Sequence, residues 1–260
     1  MQAEDYEHLY ALEEDFWWFA GMREVTAALL DPFCPRGRDR VILDAGCGTG
    51  SNLAWLGRYA GRGVVFGMDV SMDALRFCRA RGHGLLACAS VTALPFATGG
   101  FDLVTSFDVL AQLSGEAGEL AAGEMFRVLR PGGVAFVRTA AYEWMRSEHD
   151  EALGTQRRYS LGALQSLLAR TGFSLLRATY ANSLLLPVAA VRRLVLKPVG
   201  LADGGSDVKP LARGLRSLNG ALKSVLNAEA SWLRASRLNL PAGLSAICIA
   251  QKPADGKKKE

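Results

Sequence analysis

Three glycines follow an aspartate in the run D-A-G-C-G-T-G, which spans residues 44–50. Glycine tolerates positive φ angles and lets a ligand lie close to the backbone, so such a run is typical of a ligand-binding turn. A dinucleotide fingerprint needs a third glycine where Ser51 stands, and a phosphate-binding P-loop needs a lysine before that serine. The spacing therefore disfavours both of those sites. Taken alone, the glycines could also form a purely structural turn.

An acid at the end of the next apolar segment strengthens the case for a ligand. Asp69 lies 19 residues after Gly50, where a carboxylate can accept hydrogen bonds from both hydroxyls of a ribose. Asp44 and Asp69 could instead cap a helix or a turn. For Asp102, which opens an apolar segment, such a structural role is the expected one.

Strand and helix signals alternate after residue 41, which is the pattern of an α/β protein with a parallel sheet covered on both faces. The run Arg130-Pro131-Gly132-Gly133 should end the helix that precedes the fifth strand, and Ser160 should cap a helix. The predicted strands are 41–44, 64–69, 85–89, 101–108, 134–139, 173–180 and 244–250, and the predicted helices are 50–61, 72–82, 114–129 and 160–171.

Residues 182–243 separate the last two strands and are too many for a bare loop. Leucines at helical spacing from Leu211 to Leu226 predict an amphipathic helix there. Nine bases against three acids suit a lid over a hydrophobic or lipid-linked acceptor, or a contact with anionic lipid. A cap that only completes the core, or a dimer interface, fits equally well.

Five short motifs together carry a family resemblance. They are V-I-L-D-A-G-C-G-T-G, G-M-D-V-S, A-L-P-F, F-D-L-V and F-R-V-L-R-P-G-G. This combination resembles the class I S-adenosylmethionine (SAM)-dependent methyltransferases over about residues 40–180 and, more weakly, the final strand. The resemblance implies a Rossmann-like, seven-stranded, mostly parallel sheet with helices on both faces and a helical insert before the last strand. It also implies an enzyme with SAM as its cofactor.

The resemblance also assigns roles to individual residues near the cofactor. Asp44 would orient the methionine amino group, Asp69 would hold the ribose, and Asp108 would face the methionine end of the pocket. Ser90 stands where the family often has an acid for the adenine amino group, and Gln112 replaces a histidine that many relatives have. The expected cofactor-binding residues are Asp44, Gly46, Cys47, Gly48, Gly50, Met68, Asp69, Val70, Ser90, Val91 and Asp108.

The segment after the fifth strand holds the candidate catalytic residues, because such folds bind substrate at the carboxyl edge of the sheet. Methyl transfer to a good nucleophile needs positioning more than a base. If a base acts, His149 is the candidate, with Asp150 to orient it and Tyr142 nearby. A surface histidine in a polar loop is an equally good interpretation. Arg157, Arg158 and Tyr159 could bind an anionic group or form a solvated basic turn.

The N-terminal segment D-F-W-W-F-A-G-M-R, residues 15–23, is unusually aromatic. It resembles an element that precedes the SAM domain in a bacterial subset of the family. Trp17, Trp18 and Phe19 could form a lid that excludes water and contacts substrate, or they could simply pack a helix onto the sheet. The predicted organisation is a lid (1–38), a SAM-binding core (39–181, 244–252), a helical cap (182–243) and a tail (253–260).

Composition narrows the remaining possibilities. A formal charge of +4 over 260 residues and the lack of an arginine-rich run disfavour a nucleic-acid partner. Three histidines without ligand spacing predict no metal site. The acidic start lacks a signal peptide's basic region, and five cysteines without a C-x-x-C pair fit a reducing, cytoplasmic setting. The apolar stretch 184–201 could touch a membrane surface.

The sequence leaves the acceptor open. The leading hypothesis is methyl transfer to O, N or C of a small or lipid-linked metabolite, by a monomer or a homodimer. The alternative is a non-catalytic subunit of the same fold that binds a partner through its insert. A nicotinamide oxidoreductase is disfavoured by the glycine spacing and by the missing Tyr-x-x-x-Lys.

Overall fold

The computed structural model describes residues 3–14, 16–147, 150–151, 154–193, 216–236 and 238–254. Seven strands form one sheet in the order β3-β2-β1-β4-β5-β7-β6. They are β1 (Val41–Ala45), β2 (Val64–Asp69), β3 (Leu86–Cys88), β4 (Phe101–Phe107), β5 (Leu129–Ala140), β6 (Ser174–Ala181) and β7 (Ser245–Gln251). The sheet therefore confirms the predicted fold class.

Strands β1 to β5 are parallel, and β7 runs antiparallel to both of its neighbours, β5 and β6. The central strand β4 is buried along nearly its whole length, including its polar residues Asp102, Thr105 and Ser106. The carboxyl ends of the parallel strands meet at one edge of the sheet. That edge brings Asp44, Asp69 and Asp108 into one region.

Eight α-helices accompany the strands in the described ranges. They are α1 (Ala3–Leu12), α2 (Trp17–Leu30), α3 (Ser51–Leu56), α4 (Met72–Ala80), α5 (Ala117–Val128), α6 (Leu161–Arg170), α7 (Leu186–Val191) and α8 (Arg216–Ser236). One face of the sheet packs against α5 and α6, and the other packs against α2 and α8. As predicted, the Ser160 hydroxyl caps α6 by accepting a hydrogen bond from the Ala163 amide.

Helix α2 packs closely against α8 of the insert. A Cβ atom on Gly21 would lie 2.6 Å from the Leu226 Cβ, so only glycine permits this approach. Leu226, Ala230 and Leu233 of α8 are fully buried in the shared core. The predicted amphipathic helix is thus present, although Leu211 and Leu215 lie outside the described residues. Its apolar stripe completes the core.

One predicted boundary is wrong. The helix before the run 130–133 ends there as predicted, at Val128, but the fifth strand was expected to begin at residue 134. Instead, β5 begins at Leu129 and pairs with Phe101 before the register shifts. Gly132 takes a positive φ of 79°, and the Arg130 guanidinium pairs with Asp102 across the irregularity. Asp102 also accepts a hydrogen bond from the Val41 amide at 2.6 Å. It is therefore the structural residue that its sequence context indicated.

In the described part of the chain, no helix is both long enough and apolar enough to span a membrane.

Candidate functional site

The carboxyl end of β1 carries a buried acid with a free oxygen. Asp44 is only 1% exposed, and its Oδ1 accepts a hydrogen bond from the Thr105 hydroxyl at 2.7 Å. Its Oδ2 is buried and has no hydrogen-bond partner among the described residues. Burial raises the pKa of Asp44 to about 7, against the opposing effects of the Thr105 hydrogen bond and of Arg138. A cationic or donor group would satisfy this oxygen.

The glycine loop makes a tight turn that has open space on one side. The amides of Gly46 and Cys47 both donate to the Met68 carbonyl at 2.8 Å, which joins the loop to β2. A Cβ on Gly46 would lie 2.2 Å from Val109 Cγ2, so the loop packs against the β4 end there. A Cβ on Gly48 would meet nothing within 4 Å. The loop therefore presents a bare, open backbone at Gly48.

The thiol of Cys47 faces away from that open side. Its Sγ lies 3.8 Å from the Sγ of Cys78 on α4, and both side chains are buried. The Cys47 side chain thus packs between the glycine loop and α4. The predicted contact between Cys47 and a cofactor would therefore be made by the Cys47 backbone.

Asp69 links the loop to the end of β2. Its Oδ2 accepts from the Gly48 amide and its Oδ1 from the Ser71 amide, each at 2.9 Å. Each carboxylate oxygen can accept a second hydrogen bond. Asp69 therefore holds the loop and keeps acceptor capacity for a ligand hydroxyl.

The expected adenine-side residues differ in their exposure. The Val70 side chain is exposed, whereas Met68 and Val91 are buried in the sheet's core. The Ser90 hydroxyl bonds to the Thr92 hydroxyl at 2.8 Å and accepts from the Thr92 amide at 3.2 Å. The expected positions of Met68 and Val91 beside the adenine stay predictions.

Asp108 follows β4 with a positive φ of 62° and pairs with Arg138 of β5. The guanidinium donates from Nε and Nη2 to Asp108 Oδ2 at 3.0 and 2.6 Å. The Arg138 guanidinium carbon lies 4.9 Å from the Trp18 ring centre and 5.0 Å from that of Phe107. Arg138, which the sequence motifs did not single out, therefore fixes the Asp108 carboxylate.

The N-terminal aromatic residues pack α2 onto the sheet, and their role as a lid stays a prediction. The later part of α2 is buried against the sheet, while its first turn lines an open cleft. We call this the aromatic cleft, and its main lining residues are Trp18, Phe19, Trp55, Phe107, Arg23 and Arg138. The Trp17 amide donates to Asn219 Oδ1 of α8 at 2.8 Å. The Trp17 amide therefore links α2 to α8 of the insert, and Trp18 lines the aromatic cleft.

A polar clasp joins the N-terminal segment to the glycine loop. The Thr49 hydroxyl donates to the Glu13 carboxylate, and Arg81 Nη2 lies 3.2 Å from the same oxygen. Arg81 also donates from Nε to the Thr49 carbonyl at 3.1 Å. Burial raises the pKa of Glu13. No local sequence pattern predicts this clasp, because Glu13 and Arg81 are 68 residues apart.

In the segment after β5, the charged side chains bond to other groups of the protein. Arg158 Nε donates to Asp150 Oδ1 at 2.7 Å in a buried ion pair, and Arg158 Nη1 donates to the Ala141 carbonyl at 2.8 Å. Asp150 Oδ2 accepts from the Ser147 amide at 2.8 Å. The expected anion-binding role of Arg158 and base-orienting role of Asp150 thus need correction, because each residue already neutralises the other. His149 lies outside the described residues.

The aromatic residues of this segment are stacked. Tyr142 lies between Trp144 and Tyr180, with ring centres 5.4 and 4.9 Å away. Burial and the Tyr180 hydroxyl raise the pKa of Tyr142 to about 12, so this phenol stays protonated at neutral pH. Tyr159 is buried, and the exposed Arg157 lies over its ring at 4.7 Å. Of the two arginines that were predicted to bind an anionic group, Arg157 and Arg158, only Arg157 lies at the surface.

Asp44, Gly48 and Asp69 together limit which cofactor could bind at this edge of the sheet. The free oxygen of Asp44 matches an ammonium group, the open backbone at Gly48 matches a close ligand, and Asp69 matches ribose hydroxyls. All three features fit SAM. Within the described ranges, no three His, Cys, Asp or Glu side chains gather around a position for a metal ion.

Comparisons with known proteins agree with this geometry. Residues 43–137 match the profile of the methyltransferase domain family. A Mycolicibacterium smegmatis protein named as a probable SAM-dependent methyltransferase is 34% identical over 170 residues, which cover 62% of this chain and 61% of that protein. A fatty-acid O-methyltransferase of the same organism is 31% identical over 167 residues, which cover 52% and 56%. The first curated relatives are matched over 42% to 61% of their own length.

A solved structure supports the fold. Phosphoethanolamine N-methyltransferase 2 of Haemonchus contortus, in complex with phosphomonomethylethanolamine and S-adenosylhomocysteine, aligns with a TM-score of 0.61 at 17% identity. The alignment covers 97% of this chain and 58% of the other.

Proposed function

Since residues 43–137 form a methyltransferase domain of the class I SAM-dependent family, we propose that this chain transfers a methyl group from SAM to O, N or C of a small or lipid-linked metabolite. The observation that carries the proposal is the buried, unpartnered oxygen of Asp44 beside the open glycine loop. An unpaired polar atom of this kind is costly in a purely structural turn.

The chain's own residues would bind the cofactor at the edge of β1, β2 and β4. Asp44 would receive the methionine ammonium, the Gly48 backbone would lie against the homocysteine part, and Asp69 would receive the ribose hydroxyls. Bound SAM supplies a methyl group activated by a sulfonium. Met68, Val70, Ser90 and Val91 are the proposed contacts on the adenine side.

Helix α2 and the carboxyl ends of β4 and β5 would form the binding site for the methyl acceptor. Trp18 covers the Arg138–Asp108 pair, so water is displaced from one wall of this region. Placing the acceptor in line with the methyl group would supply much of the rate, and no general base is required for a good nucleophile. The relatives named above include a fatty-acid O-methyltransferase, which supports an acceptor with an apolar part.

Titration calorimetry with cofactor-free protein tests the proposal. SAM and S-adenosylhomocysteine (SAH) should bind one shared site at micromolar strength, and radiolabelled SAM should transfer its methyl group to a component of a cell extract. Failure of both ligands to bind would refute the proposal. Binding without transfer to any extract would favour the alternative, a non-catalytic partner-binding subunit.

A further inference from the structure

The aromatic cleft lies on the same face of the sheet as the Asp44 carboxylate. Asp44 bonds to Thr105, and Phe107 is two residues further along the same strand, so both point to one face. Trp18 and Phe19 of α2 and Trp55 of α3 complete the apolar wall. These rings form one apolar wall of the cleft, against which an apolar group can pack.

The two arginines of the aromatic cleft differ in their partners. Arg138 is paired with the Asp108 carboxylate and packed between two rings. Arg23 donates only to neutral oxygens among its recorded partners, from Nε to Asn52 Oδ1 at 3.3 Å and from Nη2 to the Glu13 carbonyl at 3.4 Å. Both distances are longer than usual for N–H···O bonds. Arg23 therefore has donor capacity for a stronger acceptor.

The nearest acid does not neutralise Arg23 through a direct ion pair. The Glu13 carboxylate attracts Arg23 electrostatically, but its Oε2 is held by the Thr49 hydroxyl and by Arg81. Burial lowers the pKa of Arg23, with further lowering from the positive charge of Arg81. A guanidinium that is partly desolvated and weakly bonded gains most from a carboxylate ligand.

We propose that the aromatic cleft is the acceptor subsite and that Arg23, oriented by Asn52, recognises a carboxylate on an acceptor with an apolar body. This inference rests on the proposed methyl transfer and narrows its substrate class to organic acids. The apolar body packs against the rings, and the guanidinium forms charge-assisted hydrogen bonds to the acid group. SAM carries a carboxylate of its own, so the test must separate the two sources.

The test uses the full chain saturated with SAH, titrated by calorimetry at pH 7 with 2-naphthoate and with its uncharged analogue 2-naphthamide. We expect naphthoate to bind at least about tenfold more tightly than the amide, because only the acid forms charge-assisted bonds with Arg23. In Arg23→Gln this preference should fall below about twofold, while SAH affinity stays within about twofold of the wild type. Arg62→Gln is the matched control, because Arg62 forms an exposed pair with Asp39.

Each other outcome overturns a distinct claim. Equal binding of acid and amide to the wild-type protein, or no binding of either, would refute the acceptor subsite without needing any variant. A tenfold loss of SAH affinity in Arg23→Gln would assign the cofactor's carboxylate to Arg23 and also overturn the inference. Failure of SAH to bind the wild-type chain would instead refute the proposed methyl transfer.

Discussion

The glycine-loop edge and the segment after β5 both hold buried charges at the carboxyl side of the sheet, yet their bonding differs. At the glycine-loop edge, Asp44 keeps an unpartnered oxygen and Gly48 faces open space. After β5, Asp150 and Arg158 pair with each other, and Tyr142 is stacked between two rings. A charged group with an unpartnered oxygen suits a region that receives a ligand, whereas charged groups that pair with each other suit a structural region.

This contrast predicts which substitutions affect folding and which affect binding. Residues of the segment after β5 should contribute mainly to stability. Residues of the glycine-loop edge should contribute mainly to cofactor affinity.

The largest effect is expected from Arg158→Met. This change leaves the Asp150 carboxylate buried without its partner, so the free energy of unfolding should fall by about 3–5 kcal/mol. Urea denaturation followed by circular dichroism measures that loss. SAH affinity of the folded variant should stay within about twofold. A variant that folds normally but loses SAH would mean that Arg158 belongs to the cofactor site.

Asp69→Asn should act mainly on binding. The amide keeps the shape of the side chain but weakens its hydrogen bonds to ribose hydroxyls, so SAH binding should weaken by about 1–3 kcal/mol. Calorimetric titration measures the change. Asp39→Asn, at an exposed pair with Arg62, is the control and should bind like the wild type. An unchanged affinity in Asp69→Asn would locate the ribose elsewhere.

A smaller effect should follow from the raised pKa of Asp44, about 7 in the folded protein. Because the folded state holds this proton more tightly than the unfolded chain does, the group's contribution to stability is complete below pH 4 and is lost as the pH rises through 7. SAH binding should show the opposite trend, since its ammonium favours the carboxylate. Affinity should fall by up to about fivefold between pH 7 and pH 6.

Asp44→Asn separates this effect from other titrations. The variant should bind SAH more weakly than the wild type at pH 8 and with little change between pH 6 and pH 8. A wild-type affinity that does not vary over this range would argue against an ionic contact at Asp44.

The sequence predicted the sheet and the cofactor edge because both depend on local signals. Apolar periodicity located the strands, and the glycines and acids of residues 44–50 and Asp69 follow those strands directly. The predicted start of β5 at residue 134 was wrong because an irregular strand pairing tolerates the proline and glycines of 130–133. The Arg158–Asp150 pair and the Glu13–Thr49–Arg81 clasp could not be predicted, because burial and long-range contacts decide what a charged residue bonds to.

Hydrogen exchange of the full chain with and without SAH tests the central claim most directly. We predict that SAH slows amide exchange in 46–50 and 69–71 and leaves 154–159 unchanged, since only the first two segments offer open backbone and available carboxylate oxygens. Protection centred on 154–159, with none in the glycine loop, would contradict the account.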